Sequence, residues 1–171
     1  MLKSLINKSA IAISASLLVF ACDQADHTPP EPKSRWQLVV ESDPQDSSKT
    51  VHMMIAAVNR LESQKDNAAL VLSCEGGTTD VYVIWRQYLG SYDLDVTWRV
   101  GSDPDVSETW SLSTDNEASF APEPVQLIKH MMSIDLLLIK TSPFGSSPVT
   151  LQFNTAGLEK EVTPLREACS W

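Results

Sequence analysis

The chain has 171 residues, 13 Lys and Arg against 22 Asp and Glu, and a formal charge of −9. A surface of that sign repels nucleic acid and anionic lipid headgroups, so neither is an expected partner. Three cysteines and three histidines, with no CxxC, no HExxH and no Cys/His cluster, exclude the common structural zinc and dithiol redox designs.

Residues 1–21 read as a leader. Lys3 and Lys8 form a positive start, Ala10 to Ala21 is apolar but for Ser14 and Ser16, and Val19-Phe20-Ala21-Cys22 occupies the cleavage position. The apolar stretch is too short to span a bilayer as a helix. The pattern is that of a bacterial lipoprotein signal with Cys22 as the lipidated residue. Asp23 directly after it resembles an inner-membrane retention signal, which places the anchor in the inner rather than the outer membrane. Loss of the leader leaves 150 residues, 11 basic and 22 acidic, with a formal charge of −11. That is one domain, long enough for its own core.

Residues 22–35 hold three prolines and no apolar period, and read as a flexible tether. The folded domain is expected over residues 36–171. Trp36 to Val40 is a short apolar run. Val51, Met53, Ile55 and Ala57 alternate with His52, Met54 and Ala56. Leu70, Leu72 and Cys74 share one strand face, which aims Cys74 inward. Val81, Val83 and Trp85 form a face opposite Tyr82 and Ile84. Leu94, Val96, Trp98 and Val100 alternate with Asp93, Asp95, Thr97 and Arg99, the clearest wet-and-dry pattern in the chain. Trp110 and Leu112 repeat the theme. Ile134 to Ile139 suits a central strand, and Val149, Leu151 and Phe153 alternate with polar residues. With Gly, Pro and Ser turns between them, these segments predict a mainly β fold: an antiparallel sandwich or partly open barrel of about eight strands.

Two short helices complete the reading. Pro124 to Met132 places Val125, Ile128 and Met132 at helical spacing. Thr163-Pro164 reads as an N-cap followed by proline at the first helical position. Leu165 and Cys169 then share a face, which brings Cys169 to Cys74. If Cys22 carries lipid, these two cysteines are left to form one disulfide in an oxidising compartment.

No constellation of catalytic residues emerges. His27 lies in the tether, His52 on a strand and His130 in a short helix, with no spacing that joins them. Asp93 and Asp95 lie on one strand face at about 6–7 Å between Cα atoms, and read as a solvated pair. Asp103, Asp105 and Glu108 lack the spacing of a calcium loop. The five tryptophans fall mostly on core faces. Arg99, a lone cation on an acidic face, and Asp115 are the nominated binding residues, each with a neighbouring ion pair or a turn as the plain alternative.

Several stretches together resemble the VasI/TagO family of accessory proteins associated with type VI secretion. They are Trp36 with Ser42-Asp43-Pro44 and Asp46; Leu70 to Cys74 followed by Asp80 to Trp85; Ser113 to Pro122; Ser142 to Thr150; and the ending Pro164-Leu165-Arg166-Glu167-Ala168-Cys169-Ser170-Trp171. Ser170 stands where the family ending usually carries glycine. The resemblance implies a non-catalytic envelope protein, without cofactor or metal, that acts through contacts with envelope or secretion-machinery proteins. Membrane attachment then falls to the lipid on Cys22. An acidic binding module or inhibitor of a cationic lysozyme-type enzyme is the alternative, and a peptidoglycan-active enzyme using Asp93 and Asp95 the third reading.

Overall fold

Alternating apolar residues make the strands, and the turn residues between them set where each one stops. The computed structural model describes residues 34–42, 44–45, 48–59 and 68–171. The expected leader, Cys22, Asp23 and His27 lie outside the described residues, as does the expected tether before Ser34. Nine strands follow: β1 (Gln37–Ser42), β2 (Lys49–Ala56), β3 (Ala69–Glu75), β4 (Thr78–Ile84), β5 (Leu94–Val100), β6 (Val106–Leu112), β7 (Ala118–Phe120), β8 (Leu136–Thr141) and β9 (Val149–Asn154). Helix α1 (Pro124–Met131) joins β7 to β8, and α2 (Leu158–Glu161) and α3 (Thr163–Cys169) end the chain. All the strands pair antiparallel in one open sheet of order β1-β2-β3-β4-β7-β6-β5-β8-β9.

The period-two faces expected from sequence are the faces observed. Val51, Met53, Ile55, Leu70, Leu72, Val81, Val83, Val96, Leu151 and Phe153 are all buried on one side of the sheet. Leu127, Ile128 and Met131 of α1 and Leu158, Val162 and Leu165 of the C-terminal helices join that same core. Each such side chain withdrawn from water contributes about 1.5–3 kcal/mol. Trp85 is fully buried and its indole N–H donates to Ser119 Oγ at 2.9 Å, so a bulky ring enters the core without an orphaned donor. Trp98 and Trp110 both donate to Glu108 Oε2, at 2.9 and 3.3 Å. Glu108 pairs with Val96 and so faces the core side of the sheet, serving the two indoles.

Two helical expectations need correction. The buried face of α1 is Leu127, Ile128 and Met131, not Val125, Ile128 and Met132. The segment is apolar on most sides, so several faces satisfied the spacing; packing against β4 selected one. Thr163 does not cap α3 either. Helix α2 runs into it, Val162 is the N-cap position, and Thr163 Oγ1 donates back to Lys160 O at 3.5 Å. The proline still falls in the first turn. Trp36 Nε1–H donates to Thr155 O and Trp171 Nε1–H to Thr79 Oγ1.

Cys74 and Cys169 form a disulfide, with Cα atoms 5.8 Å apart and a sequence separation of 95. The inward parity of Cys74 and the Leu165–Cys169 spacing on α3 produce that meeting. Between β5 and β6, Gly101 adopts φ 54°, and a Cβ there would stand 2.7 Å from Ile134 Cγ2. Only glycine fits both the backbone and the space.

The two outer edges of the sheet differ. Beyond β2, Val58 N–H donates to Gln152 O at 2.7 Å. Asn59 Nδ2–H donates to Thr150 O and Asn59 Oδ1 accepts Gln152 N–H, at 2.7 and 2.8 Å. These bonds cover part of the outer edge of β9. Nothing comparable covers β1 among the described residues.

Candidate functional site

A cleft of about 640 Å³ lies at one end of the sheet, between the β4–β5 and β8–β9 loops. The wet face of β5 and β8 forms its floor. Register places Thr97 opposite Lys140 there, with Asp95 one step further along β5. The two loops supply the walls, with Tyr88, Tyr92 and Asp93 from one and Ser142 and Phe144 from the other.

Local bonds hold the walls in place. Leu89 N–H donates to Asn116 O at 2.9 Å, tying the first loop to the β6–β7 turn. Phe144 N–H donates to Leu89 O at 3.0 Å and so links the two loops directly. The Tyr88 hydroxyl and Ser91 Oγ share a hydrogen bond of 2.6 Å. At the floor, Thr141 Oγ1–H donates to Asp95 O and Thr109 Oγ1–H to Asp95 Oδ1, at 2.8 and 3.3 Å.

Three aromatic rings stand in water around this cleft: Tyr88 is 48%, Phe144 77% and Tyr92 88% exposed. Single exposed apolar residues are ordinary, but aromatics gathered on two linked loops beside a cavity are a candidate contact surface. Asp93, Asp95 and Lys140 put both signs of charge next to them. Among the described residues none of these three forms an ion pair. The lining therefore offers ring faces, hydroxyls and charges to a docking surface. It has no histidine or cysteine to act as base or nucleophile.

The residues nominated from sequence fall in different places. Asp93 and Asp95 line the cleft. Arg99 lies further along β5, its Nη1 3.4 Å from Asp105 Oδ1. Asp115 lies in the β6–β7 turn, where its Oδ1 accepts Ser113 Oγ–H and, at 3.1 Å, Glu117 N–H. These hydrogen bonds, the one from Ser113 first, hold its carboxyl below the usual 3.8. The other acids weighed as a cation loop are divided, Asp105 to Arg99 and Glu108 to the indoles. Among the described residues no group of three His, Cys, Asp or Glu side chains could hold a metal. His130 stands beside Trp98, with ring centroids 5.6 Å apart, and His52 is on β2.

Sequence reasoning passed over Tyr88, Tyr92 and Phe144. The available signal was their setting: they lie outside every strand pattern, in segments punctuated by Gly90-Ser91 and by Pro143 and Gly145-Ser146-Ser147-Pro148. An aromatic residue with no strand or helix to bury it is a candidate contact.

Fold and cleft together define a disulfide-closed antiparallel β-domain with an aromatic-rimmed cleft built by two loops. A crystal structure of invasion associated protein B from Bartonella henselae shares this fold, with a TM-score of 0.56 at 10% identity, over 80% of this chain and 94% of that one. No curated protein sequence matches the chain. A family model described as "Type VI secretion system VasI, EvfG, VC_A0118" matches residues 19–171. The chain belongs to the VasI family of type VI secretion proteins.

Proposed function

We propose that this protein is a non-catalytic, lipid-anchored periplasmic component of a type VI secretion system that works by binding a protein of the envelope or of the machine. The observation that carries the reading is the cleft, whose Tyr92 and Phe144 are 88% and 77% exposed on two linked loops. Aromatic anchors of this kind supply much of the energy of protein interfaces. The family supports the process, and the Cys74–Cys169 disulfide supports an exported location, since such bonds persist in oxidising compartments. In this reading residues 1–21 are removed, Cys22 carries the lipid, residues 22–35 are the tether, and Asp23 retains the anchor in the inner membrane.

The test is complementation of a deletion strain that uses such a system. The Tyr92→Ala, Phe144→Ala double variant should reach wild-type abundance yet lose at least about tenfold in effector release and competitor killing, a loss of the size expected for interface anchors. Full activity from that variant would remove the cleft from the mechanism. Asp93 and Asp95 beside the rings also favour a basic partner surface, which gives the second reading, inhibition of a cationic muramidase. Slowed muramidase turnover at micromolar protein would favour that reading.

A further inference from the structure

Strand β1 is the open edge of the sheet. Among the described residues it pairs with β2 alone, and all six of its residues are exposed. Leu38, Val39 and Val40 are 39%, 50% and 45% exposed. By register Leu38 and Val40 stand beside Met53 and Val51, on the core side of the sheet. Those two neighbours are fully buried, whereas the overhanging strand is not. The reason is local: α3 packs over β2 and β3, so its cover stops one strand short of β1.

Edge strands are ordinarily protected by lysine, proline, a bulge or a covering segment. Gln37 to Val40 has no lysine or proline and pairs with β2 without a break in register. Among the described residues no hydrogen bond occupies the far side of β1. The opposite edge of the sheet, by contrast, is partly covered through Val58 and Asn59.

We propose that β1 is a self-association edge, on which a second copy of this chain pairs its own β1 antiparallel about a two-fold axis at Val39. The occupant is argued from the strand itself. A two-fold axis perpendicular to the sheet keeps equivalent residues on the same face, so opposed positions must have the same parity. Centring on Val39 sets Leu38 against Val40 of the other copy and Gln37 against Glu41. The apolar positions then match, and each carboxylate meets an amide rather than a second carboxylate. Shifting the centre to Val40 sets Val39 against Glu41 and Leu38 against Ser42, which loses that match. Leu38 and Val40 of both copies would close into one apolar patch on the core side of a continuous sheet. This pairing is independent of the cleft, since the two surfaces share no residue.

The full-length chain, in its own envelope, carries the test. Val39→Cys places two thiols on the axis, where directly opposed strand residues stand about 4.5–5.5 Å apart at Cα, within disulfide range. Mild oxidation should give a species of twice the mass, linked at position 39 when its peptides are sequenced. Glu41→Cys is the control: two copies of that position lie four residues out of register, more than about 10 Å apart, and should stay monomeric. Val39 is half exposed, so either protein should fold, and an intact Cys74–Cys169 pair verifies it. A Val39→Cys chain that remains monomeric overturns the proposal. So does equal cross-linking from Glu41→Cys, or cross-linking of Val39→Cys to a different protein, which would make the edge a site for a foreign strand.

Discussion

Removing the Cys74–Cys169 bridge by substituting both residues with alanine should cost a large share of the stability available to a domain of this size. The bridge closes 95 residues. Restricting an unfolded chain by a loop of that length lowers its entropy enough to contribute about 4.7 kcal/mol at 25 °C. Measured effects usually fall below the chain-entropy figure, because unfolded chains keep some structure. Here a second loss acts in the same direction. Cys74 is fully buried among Val51, Leu72 and Val81, so alanine removes packed sulfur from the core. A net loss of about 4 kcal/mol is expected, against the 5–15 kcal/mol typical of whole domains. Urea unfolding followed by tryptophan fluorescence measures it. The midpoint should fall, and the slope should rise because the unlinked chain exposes more surface when unfolded. A loss under about 1 kcal/mol with unchanged slope would refute the reasoning, and would mean that the bridge merely pins α3. Hydrogen exchange would then show the effect confined to residues 163–171.

Two further outcomes follow from local geometry. Ser170 ends α3 at φ 56°, ψ 48°, with its N–H and that of Trp171 both directed to Arg166 O. Ser170→Gly relieves a left-handed residue, worth about 1–2 kcal/mol, and loses about 0.4–1 kcal/mol to the freer unfolded chain. The net gain of about 0.5–1 kcal/mol should appear as a rise of roughly 1–4 °C in Tm, and a fall in Tm would contradict it. The second outcome concerns Asp115, whose carboxyl titrates below 3.8 because Ser113 and the Glu117 N–H bond its charged form. A depressed folded pKa contributes stability that is present above the unfolded pKa and lost as pH falls through the lower folded one. Ser113→Ala should therefore bring the Asp115 pKa back up toward 3.8 in a carbon-detected NMR titration. No movement would mean that Ser113 is not the cause.

What was legible in the sequence was whatever a local period could encode. The alternation through Leu94, Val96, Trp98 and Val100 gave the buried face of β5, and the parity of Leu70, Leu72 and Cys74 aimed a thiol at the core. The four-residue step from Leu165 to Cys169 then supplied its partner. Strand order had no such code. Three-residue β7 is too short to show a period, yet it lies between β4 and β6 and joins the two halves of the sheet. The face of α1 was ambiguous because Val125, Leu127, Ile128, Met131 and Met132 allow more than one apolar stripe. The two proposed surfaces were hidden for a related reason. Tyr88, Tyr92 and Phe144 lie in loops and gain meaning only when Leu89 and Phe144 are bonded together.

The same distinction separates the two proposed surfaces experimentally. Leu38, Val39 and Val40 read as an ordinary apolar strand; their exposure arises because α3 ends its cover at β2. The cleft depends instead on loops at β5 and β8, six and seven places along the sheet from β1. Neither set of side chains belongs to the core, so substitutions in either should leave the fold intact. Loss of secretion with retained self-association is therefore the outcome for the Tyr92, Phe144 pair. A Val39→Lys chain reverses the first half of the comparison: one charge per copy meets its equal on the two-fold axis, and like charges directly opposed across a strand pair are destabilising. Cross-linking read through a second position cannot substitute for it here, so sedimentation of the detergent-solubilised chain is the measurement. Val39→Lys should sediment as a monomer where wild type does not, and the same variant's killing activity then reports whether the pairing matters to secretion. If the Tyr92, Phe144 pair also sediments as a monomer, the two surfaces are not independent and the assignment of separate roles fails.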